Sequence, residues 1–384
     1  MMRAIVIVGL VLMALGALQA QESTRPRLTI GPLADVTIDG RLSEQEWAGA
    51  EGVGAFVRLG GDLAQAPGRC MIGYDDTGLL IAWQLQGKPT AQARGRDGDI
   101  WRDDDVEVFI QPPGAQSYYH FVVGASGDIL DELGRDADWN AQWQAAVQVR
   151  EDGWDVEMRL PFAALGTTPR PGDVWRVNFT RHATSPDEYS SWAPLTRSFH
   201  EPEGFGELCF AAQSPGCSVV GVRRTDDHRL IINARTNEGT KLTATLLEGE
   251  SEVARAVAGP GGMELPIAEP GRYLLRLTGV TEEGEEVFRQ NVPVYRKPPI
   301  ELSLRKGLLE AMKVVVGIDA EALEADPDRY RIAVNGTQVA LVAVDPADPR
   351  HAVAGVDLSG VEPGQVTITV EGVRGEEVLA AAET

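Results

Sequence analysis

Between Gly98 and Pro113 the chain reads GDIWRDDDVEVFIQPP, which sets Trp101 directly before Asp103, Asp104, Asp105 and Glu107. Clustered carboxylates can hold a hard cation through oxygen ligands. They can also work as an acid–base pair on a glycosidic bond, or accept hydrogen bonds from a polar ligand. Side chains alternate between faces along a strand, so Val106, Val108 and Ile110 should face a core. If the extended geometry reaches back far enough, Trp101, Asp103, Asp105 and Glu107 share the other face. Asp104 then points with the apolar set, where a carboxylate is costly unless a cation or an arginine neutralises it. Two readings follow. Asp103, Asp104, Asp105 and Glu107 could hold calcium, or the run could be solvated and paired with Arg94, Arg96 or Arg102. The spacing is not that of an EF-hand loop.

Catalysis has less support. No acid stands in the apolar context that raises a catalytic pKa. The five histidines are scattered without metal-ligand spacing, and neither a Gly-x-Ser-x-Gly nor a phosphate-binding loop is present. These residues point to a binding protein with no catalytic site. All eight tryptophans lie between Trp47 and Trp192. Trp83, Trp143, Trp154 and Trp175 sit in alternating stretches and are expected to pack. Trp47 should staple a short helical turn that opens with the capping box Ser43-Glu-Gln-Glu46. Trp101 and Trp192 stand at element edges beside polar residues, with Trp139 as a third loop candidate. An exposed indole can stack on the C–H face of a sugar ring while acids such as Asp103 and Asp105 bond its hydroxyls. Those five residues are the expected ligand contacts.

The elements that must position them are short strands. Arg69–Tyr74 and Leu79–Gln86 flank Asp75-Asp-Thr-Gly78, a hairpin signal. Further strands are expected at Val106–Gln111, Tyr118–Val123, Asp128–Glu132, Trp143–Arg150, Trp154–Leu160, Val174–Arg181 and Gly206–Phe210. Such spacing without long helical periods argues an all-β protein built on sandwiches. Gln213-Ser-Pro-Gly-Cys217 reads as a linker. Beyond it, Glu269-Pro-Gly-Arg-Tyr-Leu and Glu362-Pro-Gly-Gln-Val-Thr lie 93 residues apart (269 to 362), each followed by Gly-Glu-Glu-Val. That offset suggests two immunoglobulin-like modules, at 217–296 and 297–384.

The net charge of −22 argues against nucleic acid as a partner, because a polyphosphate is repelled. Residues 1–20 have one charge, Arg3, before an apolar run that ends near Ala20. This is the pattern of a secretory signal peptide, which leaves no membrane insertion after cleavage and places the protein outside the cytoplasm, secreted, periplasmic or at the cell surface. The three cysteines match no zinc pattern; one pair could close and leave a thiol over.

Six motifs occur in an order that resembles a family 9 carbohydrate-binding module. They are Ile38-Asp-Gly-Arg-Leu-Ser-Glu-Gln-Glu-Trp47, Tyr74-Asp-Asp-Thr-Gly-Leu-Leu-Ile-Ala-Trp83 and Trp101-Arg-Asp-Asp-Asp-Val-Glu-Val-Phe-Ile110. The others are Trp154-Asp-Val-Glu-Met-Arg-Leu-Pro-Phe162, Gly172-Asp-Val-Trp-Arg-Val-Asn178 and Gly204-Phe-Gly-Glu207. The resemblance covers about Leu28 to Phe210, with a domain expected at 21–212. It implies a β-sandwich of bacterial type, structural calcium, and a sugar clasped between two aromatics, for which Trp101 and Trp192 stand in the matching positions. Related sandwiches bind haem and carry electrons, with Met71, Met158 and His120 as the nominees here. A ligand-free structural role at a cell surface is the remaining alternative.

Overall fold

The computed structural model describes residues 24–259, 261–306, 313–361 and 366–384. The expected signal peptide and the Glu362-Pro-Gly-Gln365 turn of the second repeat copy lie outside the described residues.

The chain is all-β, as the alternating stretches predict. Its first thirteen strands start with β1 (Arg27–Ile30), β2 (Glu51–Val53), β3 (Val57–Arg58), β4 (Gly68–Tyr74) and β5 (Gly78–Gln86). Then come β6 (Asp105–Gln111), β7 (Tyr119–Gly124), β8 (Ile129–Leu133), β9 (Gln144–Val149) and β10 (Gly153–Pro161). The set ends with β11 (Val174–Thr184), β12 (Asp187–Ser191) and β13 (Gly206–Phe210). They form two facing sheets. One runs β8-β7-β6-β11-β13-β1, with β12 and β3 attached beside β11; the other runs β2-β4-β5-β10-β9.

Alternation decides what each face meets. Val106, Val108 and Ile110 of β6 and Val177 and Phe179 of β11 point inward, against Ile81 and Trp83 of β5 and Val156 and Met158 of β10. Trp83, Trp154 and Trp175 are fully enclosed there, and Trp143 nearly so. A smaller cluster on the outer face of the second sheet holds Trp47, Met71, Leu80 and Ala82. The expected helical turn is a run of turns over 44–49. Trp47 nevertheless anchors it, because its Nε1 donates to Glu157 Oε1 at 2.9 Å.

Seven more strands follow: β14 (Cys217–Arg224), β15 (Arg229–Thr236), β16 (Thr240–Glu248), β17 (Ser251–Val257), β18 (Met263–Pro266), β19 (Gly271–Thr281) and β20 (Glu286–Arg296). Sequential order would make them a separate sandwich, but β20 pairs antiparallel with β1, so the first sheet continues as β1-β20-β19-β16-β17. The Gln213–Cys217 segment is tied down. Glu51, fully buried, accepts from Ser214 Oγ (2.5 Å), Gly216 N (2.7 Å), Cys217 N (2.9 Å) and Ser218 Oγ (2.7 Å). One compact unit accordingly spans the described residues up to Ile267 and Arg272–Val294.

A second unit comprises Ala268–Gly271 and Tyr295–Thr384. Its strands are β21 (Glu301–Lys306), β22 (Lys313–Asp319), β23 (Arg329–Val334), β24 (Thr337–Ala343), β25 (His351–Asp357), β26 (Ile368–Arg374) and β27 (Glu377–Glu383). The sheets β21-β22-β25 and β24-β23-β26-β27 enclose Val316, Tyr330, Ile332 and Val370. Cys70, Cys209 and Cys217 are all free thiols.

Candidate functional site

Strand β6 begins at Asp105, and Ile100–Arg102 is a 3-10 turn. The alternation expected from Trp101 onward therefore breaks before the strand. Ile100 is buried and anchors the turn, and the Trp101 indole projects into solvent, 51% exposed.

The acids behind it separate. Asp103 is paired with Arg94 (Nη2 to Oδ1 2.8 Å) and accepts from Gln92 N at 2.8 Å. The Arg94 guanidinium holds its carboxyl below the usual range. Asp104 Oδ2 accepts from Thr90 N (2.9 Å) and Thr184 Oγ1 (2.5 Å). Glu107 Oε2 lies 2.5 Å from His120 Nε2. Asp105 is 0% exposed, and no side chain lies within hydrogen-bond distance of its oxygens; the His182 ring is 3.9 Å away. Burial, reinforced by the Glu107 charge, drives its pKa well up.

This corrects two expectations. Asp103, Asp104, Asp105 and Glu107 do not converge on a cation: an arginine, two hydroxyl or amide donors and a histidine have taken three of them separately. The set does not fit calcium. Asp103 and Asp105, 2% and 0% exposed, are also too enclosed to meet a ligand in this arrangement.

Trp192 is a third correction. It is 0% exposed and packs on Phe179 at 5.7 Å between ring centroids. A Cβ on Gly206 would lie 2.5 Å from its ring, and Gln290 Nε2 donates to its carbonyl at 2.9 Å. It belongs to the core and cannot clasp a sugar. Trp139 is half-buried against Tyr119 (5.3 Å) and Phe121 (6.0 Å). The haem nominees are scattered. Met158 is inside the sandwich, Met71 is in the outer cluster of the second sheet, and His120 is on the outer face of the first.

What the sheet does assemble is a polar outer face on β6, β11 and β12. In register, His182 of β11 lies opposite Asp105 of β6 and Thr180 opposite Glu107. On the other side of β11, Tyr189 of β12 pairs with His182 and stacks on its ring at 4.2 Å, with 5° between planes. Tyr189 is 43% exposed. Beneath it, Asp105 Oδ1 and Oδ2, His182 Nδ1 and Thr180 Oγ1 are buried without a hydrogen-bond partner. Buried polar atoms are nearly always satisfied, so a group of them on neighbouring strands marks a place where bound water is expected. Sequence reasoning missed Tyr189. Its signal was the alternating stretch Asp187-Glu-Tyr-Ser-Ser191, two positions of which face outward with His182.

Parts of the chain are similar to several solved structures. A candidate carbohydrate-binding protein of Bacteroides uniformis is 20% identical, with 48% of this chain and 99% of that one covered (TM-score 0.40). A family 9 carbohydrate-binding module of Caldicellulosiruptor kristjanssonii in complex with cellotriose is 17% identical, covering 49% and 95% (TM-score 0.40). The glucose complex of such a module from the same organism is 16% identical, covering 49% and 97% (TM-score 0.39). No curated protein compared with the chain matches it. Residues 38–212 match the family described as carbohydrate family 9 binding domain-like. That segment, which holds both sheets from β2 to β13, is a family 9 carbohydrate-binding-like domain.

Proposed function

We propose that this domain binds carbohydrate non-catalytically on the outer face of β6, β11 and β12, with Trp101 and Tyr189 as its two exposed aromatic platforms. The observation that carries the reading is Tyr189, 43% exposed and stacked on His182 at 4.2 Å on a polar sheet face. A pyranose offers an apolar face for stacking and hydroxyls that both donate and accept, which is what such a face lacks. Binding is favoured over cleavage because the two acids on this face cannot act as a pair. Asp105 is enclosed, and Glu107 is engaged by His120. The Met1–Ala20 pattern supports export as the setting. The test is calorimetry of the purified protein against a panel of mono- and oligosaccharides that includes glucose and cellotriose. No binding to any of them would return the ligand-free structural reading. A Soret band in the purified protein would instead favour haem.

A further inference from the structure

On the same sheet, toward β7 and β8, a second polar cluster takes no part in the carbohydrate reading. His120 lies flat on Phe109, with centroids 4.1 Å apart and 11° between planes. Its Nε2 is 2.5 Å from Glu107 Oε2 and its Nδ1 is 3.1 Å from Glu132 Oε2. His200, from the loop before β13, reaches the same spot, its ring centroid 5.1 Å from that of His120. Its Nδ1 is 2.8 Å from the Tyr118 hydroxyl. One ligand atom each from His120, Glu132 and His200 lies within 4.8 Å of the other two.

We propose that His120, Glu132 and His200 bind a divalent transition-metal ion of the zinc type, with Glu107 and Tyr118 orienting the two imidazoles. Two ring nitrogens and one carboxylate are a donor set that suits zinc, whereas calcium takes oxygen ligands only. Metal-bound histidines usually have the second ring nitrogen held by an oxygen partner, which fixes the ring and its tautomer. Both histidines here have that support. Glu107 takes His120 Nε2 and leaves Nδ1 toward Glu132, and Tyr118 takes His200 Nδ1 and leaves Nε2. Packing also fixes the rings, since Phe109 lies under His120 and meets His200 edge-on at 5.3 Å. Three protein ligands leave a fourth position for water. The exposed Arg135 hydrogen-bonds the Tyr118 hydroxyl, and its charge acts on Tyr118 and His200, so a bound cation requires it to swing away.

A second acid–histidine group, Asp319, Glu321 and His351, is more exposed and already holds a cation. Lys297 Nζ donates to Asp319 (3.2 Å) and Glu321 (3.0 Å). It serves as the control.

The test uses the full chain without an affinity tag, stripped with chelator and titrated with zinc and, separately, calcium. The expected result is one zinc per chain and a higher thermal midpoint in zinc, with calcium producing neither. His200→Ala and Glu132→Gln should each weaken zinc uptake by more than about tenfold, and His351→Ala should leave it unchanged. Zinc uptake that is absent, or equal in all three variants and the wild type, would overturn the proposal. If the two site variants do not fold, the cobalt(II) form of the wild type decides. Intense d–d bands of a four-coordinate ion support the site, and the weak spectrum of a hexa-aquo-like ion overturns it.

Discussion

His182 Nδ1 and Asp105 Oδ2 lie 3.9 Å apart across the β6–β11 ladder, both buried and beyond hydrogen-bond distance of each other. A carboxyl in that position prefers its proton, and the sign of the resulting pH dependence follows. Because burial raises the Asp105 pKa in the fold, the folded state holds the proton where the unfolded chain has released it. Stability should therefore fall as pH rises from the ordinary aspartate value toward the raised one. Asp105→Asn keeps the shape and removes the charge. It should stabilise the domain at neutral pH by about 1–3 kcal/mol and flatten the dependence above pH 4 or so, read by urea unfolding at several pH values. A variant that is less stable at neutral pH would contradict this.

Calcium should not stabilise the N-terminal domain through Asp103, Asp104, Asp105 and Glu107. Arg94 neutralises Asp103, and Asp104 is occupied by Thr90 and Thr184. Thermal midpoints in millimolar calcium and in chelator should coincide. A calcium-dependent rise abolished by Asp103→Asn would show that Arg94 yields its place.

Glu51 should matter far from any ligand. It is fully buried and accepts four hydrogen bonds from the segment that leads into β14, two of them from backbone amides. Glu51→Ala strands those donors and leaves a hole, so a loss of about 3 kcal/mol or more is expected. Denaturant unfolding measures it. The effect should appear in the unit that contains β1–β20, since residues on both sides of Gln213–Cys217 belong to it.

Trp192→Ala should destabilise the same unit by about 3–5 kcal/mol, as large core truncations do. Affinity of whatever fraction remains folded should be near that of the wild type. A variant of normal stability that has lost binding would return Trp192 to the site.

These outcomes bear on what the sequence could reveal. The hairpins from Arg69 to Phe210 were legible because side-chain alternation and turn residues are local signals. Trp83, Trp154 and Trp175 were legible as core for the same reason. Trp192 was not. Its polar neighbours Ser190 and Ser191 suggested an exposed edge, but both serines are buried, and Gln290, about a hundred residues later, reaches its carbonyl. The pairing of β20 with β1 is likewise a long-range choice that no local pattern encodes. In the acidic run, strand parity identified the inner face correctly from Val106 onward. It failed at Trp101 because a 3-10 turn interrupts the alternation. The partners of the acids come from Arg94, Thr90, Thr184 and His120, of which only the arginine was foreseen.

The central claim is that Trp101 and Tyr189 hold a sugar over the Asp105–His182 face. The most direct measurement is calorimetric titration of the wild type, Trp101→Ala and Tyr189→Ala with the best sugar from the panel, each variant first checked for an unchanged unfolding midpoint. Aromatic stacking contributes about 1–3 kcal/mol per ring, by analogy with nucleobase stacks, so each variant should bind about tenfold or more weakly. Wild-type binding that neither substitution weakens would contradict the account.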